Sequence, residues 1–165
     1  MRSGGGRLQP ALTAVLAVLG AAVMVLIGWG FSAERTRSWG QLLLPPALAF
    51  LVVAPVVYRS ATDSAGDASL MIGVVIGGVL GVWRGRELTA VGVRRDSGAI
   101  VVAGDRWGAY VLAGALLLDA AVAVASGSDA FGPTLGLVGA AAGQLIGWHV
   151  GVYGRARSER TVPAP

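Results

Sequence analysis

Hydrophobic residues along this chain gather into five long stretches that are separated by short polar segments. The stretches cover residues 10–31, 42–58, 68–83, 107–125 and 131–153. A helix that crosses a bilayer needs about 20 mostly apolar residues, because each residue advances about 1.5 Å through a hydrocarbon core about 30 Å thick. The pattern therefore predicts an all-α fold, a polytopic transmembrane bundle of five helices that forms a single integral membrane domain over residues 1–165. Residues 156–165 are expected to form a disordered tail.

The polar segments predict how the bundle is oriented. With five spans, three arginines fall on one side of the membrane and ten on the other, and all five tryptophans fall on the side with ten. Because arginine accumulates in cytoplasmic loops and tryptophan at interfaces, we expect the N-terminus outside and the C-terminus in the cytoplasm. The outer arginines are Arg2, Arg7 and Arg59; the inner ones are Arg35, Arg37, Arg84, Arg86, Arg94, Arg95, Arg106, Arg155, Arg157 and Arg160; the tryptophans are Trp29, Trp39, Trp83, Trp107 and Trp148.

The longest polar segment, residues 84–106, is predicted to form a short cytoplasmic β-hairpin between the third and fourth helices. Residues 88–94 and 99–103 are rich in β-branched residues, and the Asp-Ser-Gly sequence at 96–98 favours a turn. This segment contains five arginines and only three acidic residues, so it carries a net positive charge. We therefore expect contact with anionic lipid headgroups or a cytoplasmic partner. The alternative is that the charges only orient the flanking helices. These arginines are Arg84, Arg86, Arg94, Arg95 and Arg106.

Composition supports the membrane class and narrows the chemistry. Hydrophobic residues make up 55% of the chain and charged residues 13%, with a mean hydropathy of +0.69. Cysteine is absent, which excludes disulfides and thiolate chemistry. All basic residues are arginine, a bias expected of a GC-rich bacterial genome, and they flank apolar stretches, so the net charge of +4 does not indicate nucleic-acid binding. We expect a multi-pass protein of the bacterial plasma membrane.

Glycines recur every fourth residue in the third and fifth stretches. In lipid, helices associate by close backbone approach, and ridges of small residues permit it. We interpret these ridges as packing surfaces, either within one chain or across a homo-oligomer. They comprise Gly73, Gly77, Gly81 and Gly85 in the third stretch, and Gly139, Gly143, Gly147 and Gly151 in the fifth.

Three polar residues within the apolar stretches are the candidates for chemistry: Asp119, Gln144 and His149. An acidic residue inside a span costs about 2.5–3.5 kcal/mol on insertion scales, so Asp119 should face protein or water. It would carry a proton or a cation, or else serve as a structural anchor, neutral or paired with an arginine such as Arg59. We expect Gln144 to hydrogen-bond another helix and His149 to lie at headgroup level.

Motifs of known enzyme classes are missing from the sequence. It contains no His-Glu-x-x-His zinc motif, no Gly-x-Ser-x-Gly and no Gly-Lys phosphate loop. We therefore expect no enzymatic activity, no catalytic residues, no cofactor and no bound metal.

The order of elements resembles the CcdC-like family of small bacterial membrane proteins, a domain of unknown function. The likeness covers roughly residues 35–152 and rests on Leu-Leu-Leu-Pro-Pro at 42–46, Gly-Val-Trp-Arg at 81–84, Arg-Asp-Ser-Gly at 95–98 and the helix from Trp107. Asp119 stands where this family leads us to expect a basic residue. The resemblance implies a topology and no particular activity.

The sequence favours a non-enzymatic structural or accessory component of the membrane. Its partners would be the lipid bilayer, a membrane protein or further copies of itself. The alternative is a small proton- or ion-coupled transporter or channel oligomer in which Asp119 lines the path.

Overall fold

In the part of the chain that the structure describes, five α-helices form the body of the protein, as the sequence predicts, so the all-α class is confirmed. The structure, a computed structural model, describes residues 8–30, 35–37, 39–60, 64–88, 91–93, 100–102, 106–127 and 132–160, and the side chains of 11–30, 40–54, 57–58, 67–87, 106–127 and 133–158. The helices are α1 (Leu8–Gly30), α2 (Trp39–Ser60), α3 (Ser64–Trp83), α4 (Arg106–Ser126) and α5 (Gly132–Arg160). A π-helical turn, Arg84–Leu88, continues α3.

Four of the helices are long and apolar enough to cross a membrane. The four spans are Ala11–Gly30, Asp67–Glu87, Arg106–Ser126 and Pro133–Ser158. In α2 the apolar stretch among the described residues, Gly40–Ala54, is shorter. The chain is therefore a multi-pass membrane protein by helix length and hydropathy, whereas a fifth span through α2 stays a prediction.

Three boundaries differ by three residues or more from those expected, and α3 begins at Ser64 where residue 68 was predicted. Helix α2 begins at Trp39, so Pro45 and Pro46 stand in its second turn, where each removes one helical hydrogen bond. Helix α5 continues through Arg160, so residues 156–160 are helical and not part of a disordered tail; residues 161–165 lie outside the described residues. Ala156 is fully buried, and this packing holds the last turns of α5 against the bundle.

Helices α3 and α5 run parallel. A Cβ added at Gly77 would meet the backbone of Ala140, and one added at Gly85 would meet the backbone of Trp148. Residue numbers thus rise together along the two helices. Since α4 lies between them in sequence, it has to run in the opposite direction to bring the chain back.

Helices α1 and α4 run antiparallel. A Cβ at Gly28 would touch Ala109, and one at Gly20 would approach Leu116, so residue numbers rise along one helix as they fall along the other. The ends of α1 and α3 and the start of α4 therefore lie at the same end of the bundle.

A three-stranded sheet joins two loops at that end. Its strands are β1 (Arg35–Arg37), β2 (Val91–Val93) and β3 (Ile100–Val102), in the order β1-β3-β2 with both pairs antiparallel. Val101 is opposite Thr36 on one side and Gly92 on the other. Strands β2 and β3 lie within the predicted hairpin segment, whose turn at 94–99 is outside the described residues. We call this end of the bundle the sheet end.

The buried apolar core is built by four of the helices. It includes Ala17 and Met24 of α1, Val53 of α2, Leu116 of α4 and Leu145 of α5. Among the described residues of α3 itself, the fully buried positions are all glycine. Helix α3 is therefore attached to the bundle mainly by its backbone, and most of its larger side chains are exposed.

Candidate functional site

The arginines whose side chains are described cluster at the sheet end. Arg84 and Arg86 lie in the π-helical turn after α3, Arg106 begins α4, and Arg155 and Arg157 lie in the last turns of α5. Nη1 of Arg155 donates a hydrogen bond of 2.7 Å to the backbone carbonyl of Arg86. A cation at the C-terminal end of a helix also offsets the partial negative charge there. Arg94 and Arg95 lie outside the described residues.

Tryptophans mark the same end, with one exception. Trp29, Trp83 and Trp107 are 73%, 55% and 62% exposed, as expected of an interfacial belt, and the Arg106 guanidinium lies 5.9 Å from the centroid of the Trp107 ring. Trp148 is only 2% exposed, so its ring lies inside the protein and does not belong to the belt. The Trp39 side chain is outside the described residues.

The two glycine ridges pack against each other within the chain. A Cβ built at Gly73, Gly77, Gly81 or Gly85 would come within 3.0 Å of the α5 backbone. A Cβ at Gly139, Gly143, Gly147 or Gly151 would likewise come within 3.0 Å of the backbone of α3 or of the turn that follows it. Real Cβ atoms do not approach so closely, so each glycine permits the contact. We call this contact the glycine seam.

Asp119 is the most buried charged residue among the described side chains, with 3% of its surface exposed. Its Oδ1 atom accepts a hydrogen bond of 2.5 Å from the Thr134 hydroxyl, in the first turn of α5. Its Oδ2 atom has no hydrogen-bond partner among the described residues. Asp119 thus faces protein, as its charge requires in a span. The side chain of Arg59, considered above as a partner, lies outside the described residues.

His149 lies inside the protein, and its placement at headgroup level stays a prediction. It is 5% exposed, its Nδ1 donates a hydrogen bond of 2.8 Å to the Leu145 carbonyl, and its ring packs edge-on against Trp148 at 4.7 Å between centroids. The bond to a carbonyl one turn back satisfies the Nδ1 atom of the buried ring locally. His149 therefore has the environment of a packing residue.

A groove of about 540 Å³ opens between α3 and α4, and α5 forms its floor. The Gln144 side chain lines this groove, so Gln144, Asp119 and His149 are not gathered into one cluster. At the sheet end of the groove lie Trp83 and Arg84, and the remaining lining is apolar or glycine.

The three polar candidates therefore occupy separate environments: Asp119 at the α4–α5 contact, Gln144 in the groove and His149 in the core. No group of three or more His, Asp or Glu side chains suited to a metal occurs in the part of the chain that the structure describes. What sequence reasoning missed is Thr134, which holds Asp119, and the groove, which depends on how three helices pack.

Comparisons with known proteins add no assignment. A scan against protein-family models, a search of curated proteins and a search of solved structures each found no match. The resemblance to the CcdC-like family thus stays an expectation drawn from the sequence.

Proposed function

We propose that this chain is a non-enzymatic accessory protein of the bacterial plasma membrane, with five spans, its N-terminus outside and its C-terminus in the cytoplasm. In this proposal the sheet end faces the cytoplasm and contacts anionic headgroups or a partner protein. The observation that carries the proposal is the clustering of arginine side chains from α3, α4 and α5 at one end of the bundle. An excess of arginine on one side is typical of a cytoplasmic face.

The glycine seam supports a partner contact at the sheet end, because it excludes the glycine ridges as the contact surface. Because the two glycine ridges are already used between α3 and α5, a partner has to bind elsewhere. The outer side of α3 and the sheet end are available, since Arg86, Arg106 and Arg157 have exposed side chains. A cytoplasmic partner with an acidic surface would complement these three charges.

The test is purification of the tagged full-length protein from its native membrane in mild detergent, with identification of every stoichiometric companion. We expect a defined heterologous partner that is lost when Arg86, Arg106 and Arg157 are all changed to Gln. The control changes Arg2 and Arg7 to Gln on the side predicted to be outside, and should keep the partner. A homo-oligomer with no other companion would contradict the proposal.

The second candidate function is a small proton- or ion-coupled transporter or channel, favoured by the burial of Asp119 and the lack of a hydrogen bond at its Oδ2. An acidic side chain inside a span is a functional candidate by default. Here Asp119→Asn should abolish flux in proteoliposomes while the amount of protein in the membrane stays unchanged. If the substitution lowers abundance without a specific loss of flux, Asp119 is a structural residue and this candidate fails.

A further inference from the structure

We propose that the groove between α3, α4 and α5 is a binding site for one anionic phospholipid from the leaflet at the sheet end. The lipid phosphate would pair with Arg84, and an acyl chain would lie along the apolar part of the groove. This inference deepens the proposed function, because it rests on a sheet end that lies at a membrane interface. It does not require a protein partner, so the two proposals can fail separately.

The groove has the chemical gradient of a phospholipid along its length. Arg84 and Trp83 line its sheet end. Gln144 follows, beside Gly81, which is three residues or about 4.5 Å from Arg84 along the helix. Beyond Gln144 the lining is apolar, and it ends at Ile76, Leu118 and Leu137. A phosphate, a glycerol ester and a hydrocarbon chain follow one another in the same order.

The length of the groove also fits one leaflet. Its lining on α3 extends from Ile76 to Arg84, which corresponds to about 12 Å along a helix. Half of a hydrocarbon core about 30 Å thick is about 15 Å. A chain that begins at the Arg84 level would therefore run along the groove for most of its leaflet.

The groove opens toward the bilayer and not toward the bundle interior. Of its lining residues, Ile76 and Leu80 are each 54% exposed and Leu118 is 47% exposed. Lipid can therefore enter sideways. The floor is narrow and smooth because α5 presents Ala140 and Ala141 there and α4 presents Gly114.

Charge decides which class of lipid fits. Arg84 lines the groove. Arg86 follows it by two residues, and Arg106 begins α4, five residues before Val111, which also lines the groove. A basic residue near an anionic membrane surface contributes about 1 kcal/mol. We therefore expect an anionic headgroup such as phosphatidylglycerol to be preferred over zwitterionic phosphatidylcholine.

Two substitutions test the two halves of the site. Arg84→Gln removes the charge at the groove, and its control is Arg157→Gln, an exposed arginine that does not line the groove. Gly114→Leu fills the groove, and its control is Gly154→Leu. A Cβ at either glycine meets nothing within 4 Å, and leucine is the better helix former, so both variants should fold.

The measurement is native mass spectrometry of the full-length protein released from nanodiscs that contain equal amounts of phosphatidylglycerol and phosphatidylcholine. The unmodified protein should retain one phosphatidylglycerol. Arg84→Gln should lower the preference for phosphatidylglycerol about fivefold, the factor that corresponds to about 1 kcal/mol, and Gly114→Leu should abolish retention. Both controls should behave as the unmodified protein.

Three results would overturn the proposal. Equal retention of the two lipids by the unmodified protein would show that charge does not select the ligand. Full retention by Gly114→Leu would place the lipid outside the groove. A protein segment cross-linked to residue 114 in place of lipid would show that a neighbouring helix occupies the groove.

Discussion

At the residue scale, Asp119 shows how an acidic side chain is accommodated in a span. Its carboxylate accepts a hydrogen bond from the Thr134 hydroxyl, and Thr134 lies in the first turn of α5, where backbone amides give a helix its positive end. Hydrogen bonds between helices in membranes are worth about 0.6 kcal/mol on average and at most about 1.7 kcal/mol. The pair therefore contributes to the α4–α5 contact without having to carry a reaction.

We predict that Thr134→Val lowers the free energy of unfolding by about 0.6–1.7 kcal/mol, because Asp119 loses its donor. Thr134→Ser, which keeps a hydroxyl, should cost less. The free energy of unfolding is measured in detergent, both in the unmodified protein and in a protein that already carries Asp119→Leu. In that background Thr134→Val should have little further effect; an undiminished cost there would show that the hydroxyl acts through some other contact.

Sequence alone identified Asp119 but not its partner, and the reason is geometric. Counting along the helices places Asp119 seven residues from the end of α4, but Thr134 only two residues after the start of α5. Equal depth cannot be inferred from those counts, since it depends on how far α4 extends beyond the start of α5. The burial of His149 was not predicted for a similar reason: it follows from the rotation of α5, which a sequence does not specify.

At the scale of the elements, the glycine seam is the feature that decides how α3 is held. Helix α3 contributes mainly backbone to its contact with α5, with the Leu70 side chain beside Gly139, while Val75 and Val79 on its outer face are 60% and 66% exposed. Dispersion between closely spaced backbones takes the place of a side-chain core. Such a contact is sensitive to a single methyl group.

Gly77 and its neighbour Gly78 give a matched pair of variants. A methyl group at Gly77 would lie within 3.0 Å of the Ala140 backbone, whereas one at Gly78 is 4.0 Å from the nearest atom, the carbonyl oxygen of Gly143. We predict that Gly77→Ala lowers the free energy of unfolding by about 1–3 kcal/mol, the usual cost of overpacking.

Gly78→Ala should be neutral, or should stabilise by up to about 1 kcal/mol, because alanine is the better helix former. Both values can be measured by unfolding in the same detergent. Equal effects of the two substitutions would mean that the seam is looser than described.

Repeats at four-residue spacing predicted both ridges, yet the sequence did not reveal that they meet each other. The pairing needs α3 and α5 to be parallel and adjacent, which depends on where α4 runs. Strand β1 was also not predicted. Arg-Thr-Arg at 35–37 has no apolar alternation, and it is extended because it pairs with β3.

At the scale of the whole molecule, helix directions and charge agree. Pairing of β1 with β3 places the loop between α1 and α2 at the same end as the loop between α3 and α4. Helix α2 therefore leaves the sheet end and α3 returns to it, although α2 is not among the four long apolar helices. Hydrophobic stretches alone predicted the number of helices and which loops share a side, whereas the direct pairing of the two loops through β1 and β3 was not predicted.

Because the chain has no cysteine, its orientation can be tested with single introduced thiols. We predict that Ser126→Cys, at the end of α4, reacts with a membrane-impermeant maleimide in intact cells. Ser158→Cys, in the last turns of α5, should react only after the membrane is opened, because the proposed orientation places the arginine-rich end in the cytoplasm.

A third thiol, Ser60→Cys at the end of α2, should behave like Ser126→Cys if α2 crosses the membrane. Reaction of all three variants in intact cells would refute the orientation. If Ser60→Cys is protected in intact cells while Ser126→Cys still reacts, α2 does not span.

The attachment of α3 through the glycine seam has a consequence for the timing of synthesis. Among the described residues its extensive helix neighbour is α5, which is made after α3 with about 50 residues between the two, and this takes about 3–10 s at about 5–20 residues per second. During that interval the glycine face of α3, which α5 covers in the finished bundle, is exposed to lipid. Nascent chains halted after Ser126 should then be degraded faster than finished ones, a difference in lifetime that a pulse-chase experiment would reveal.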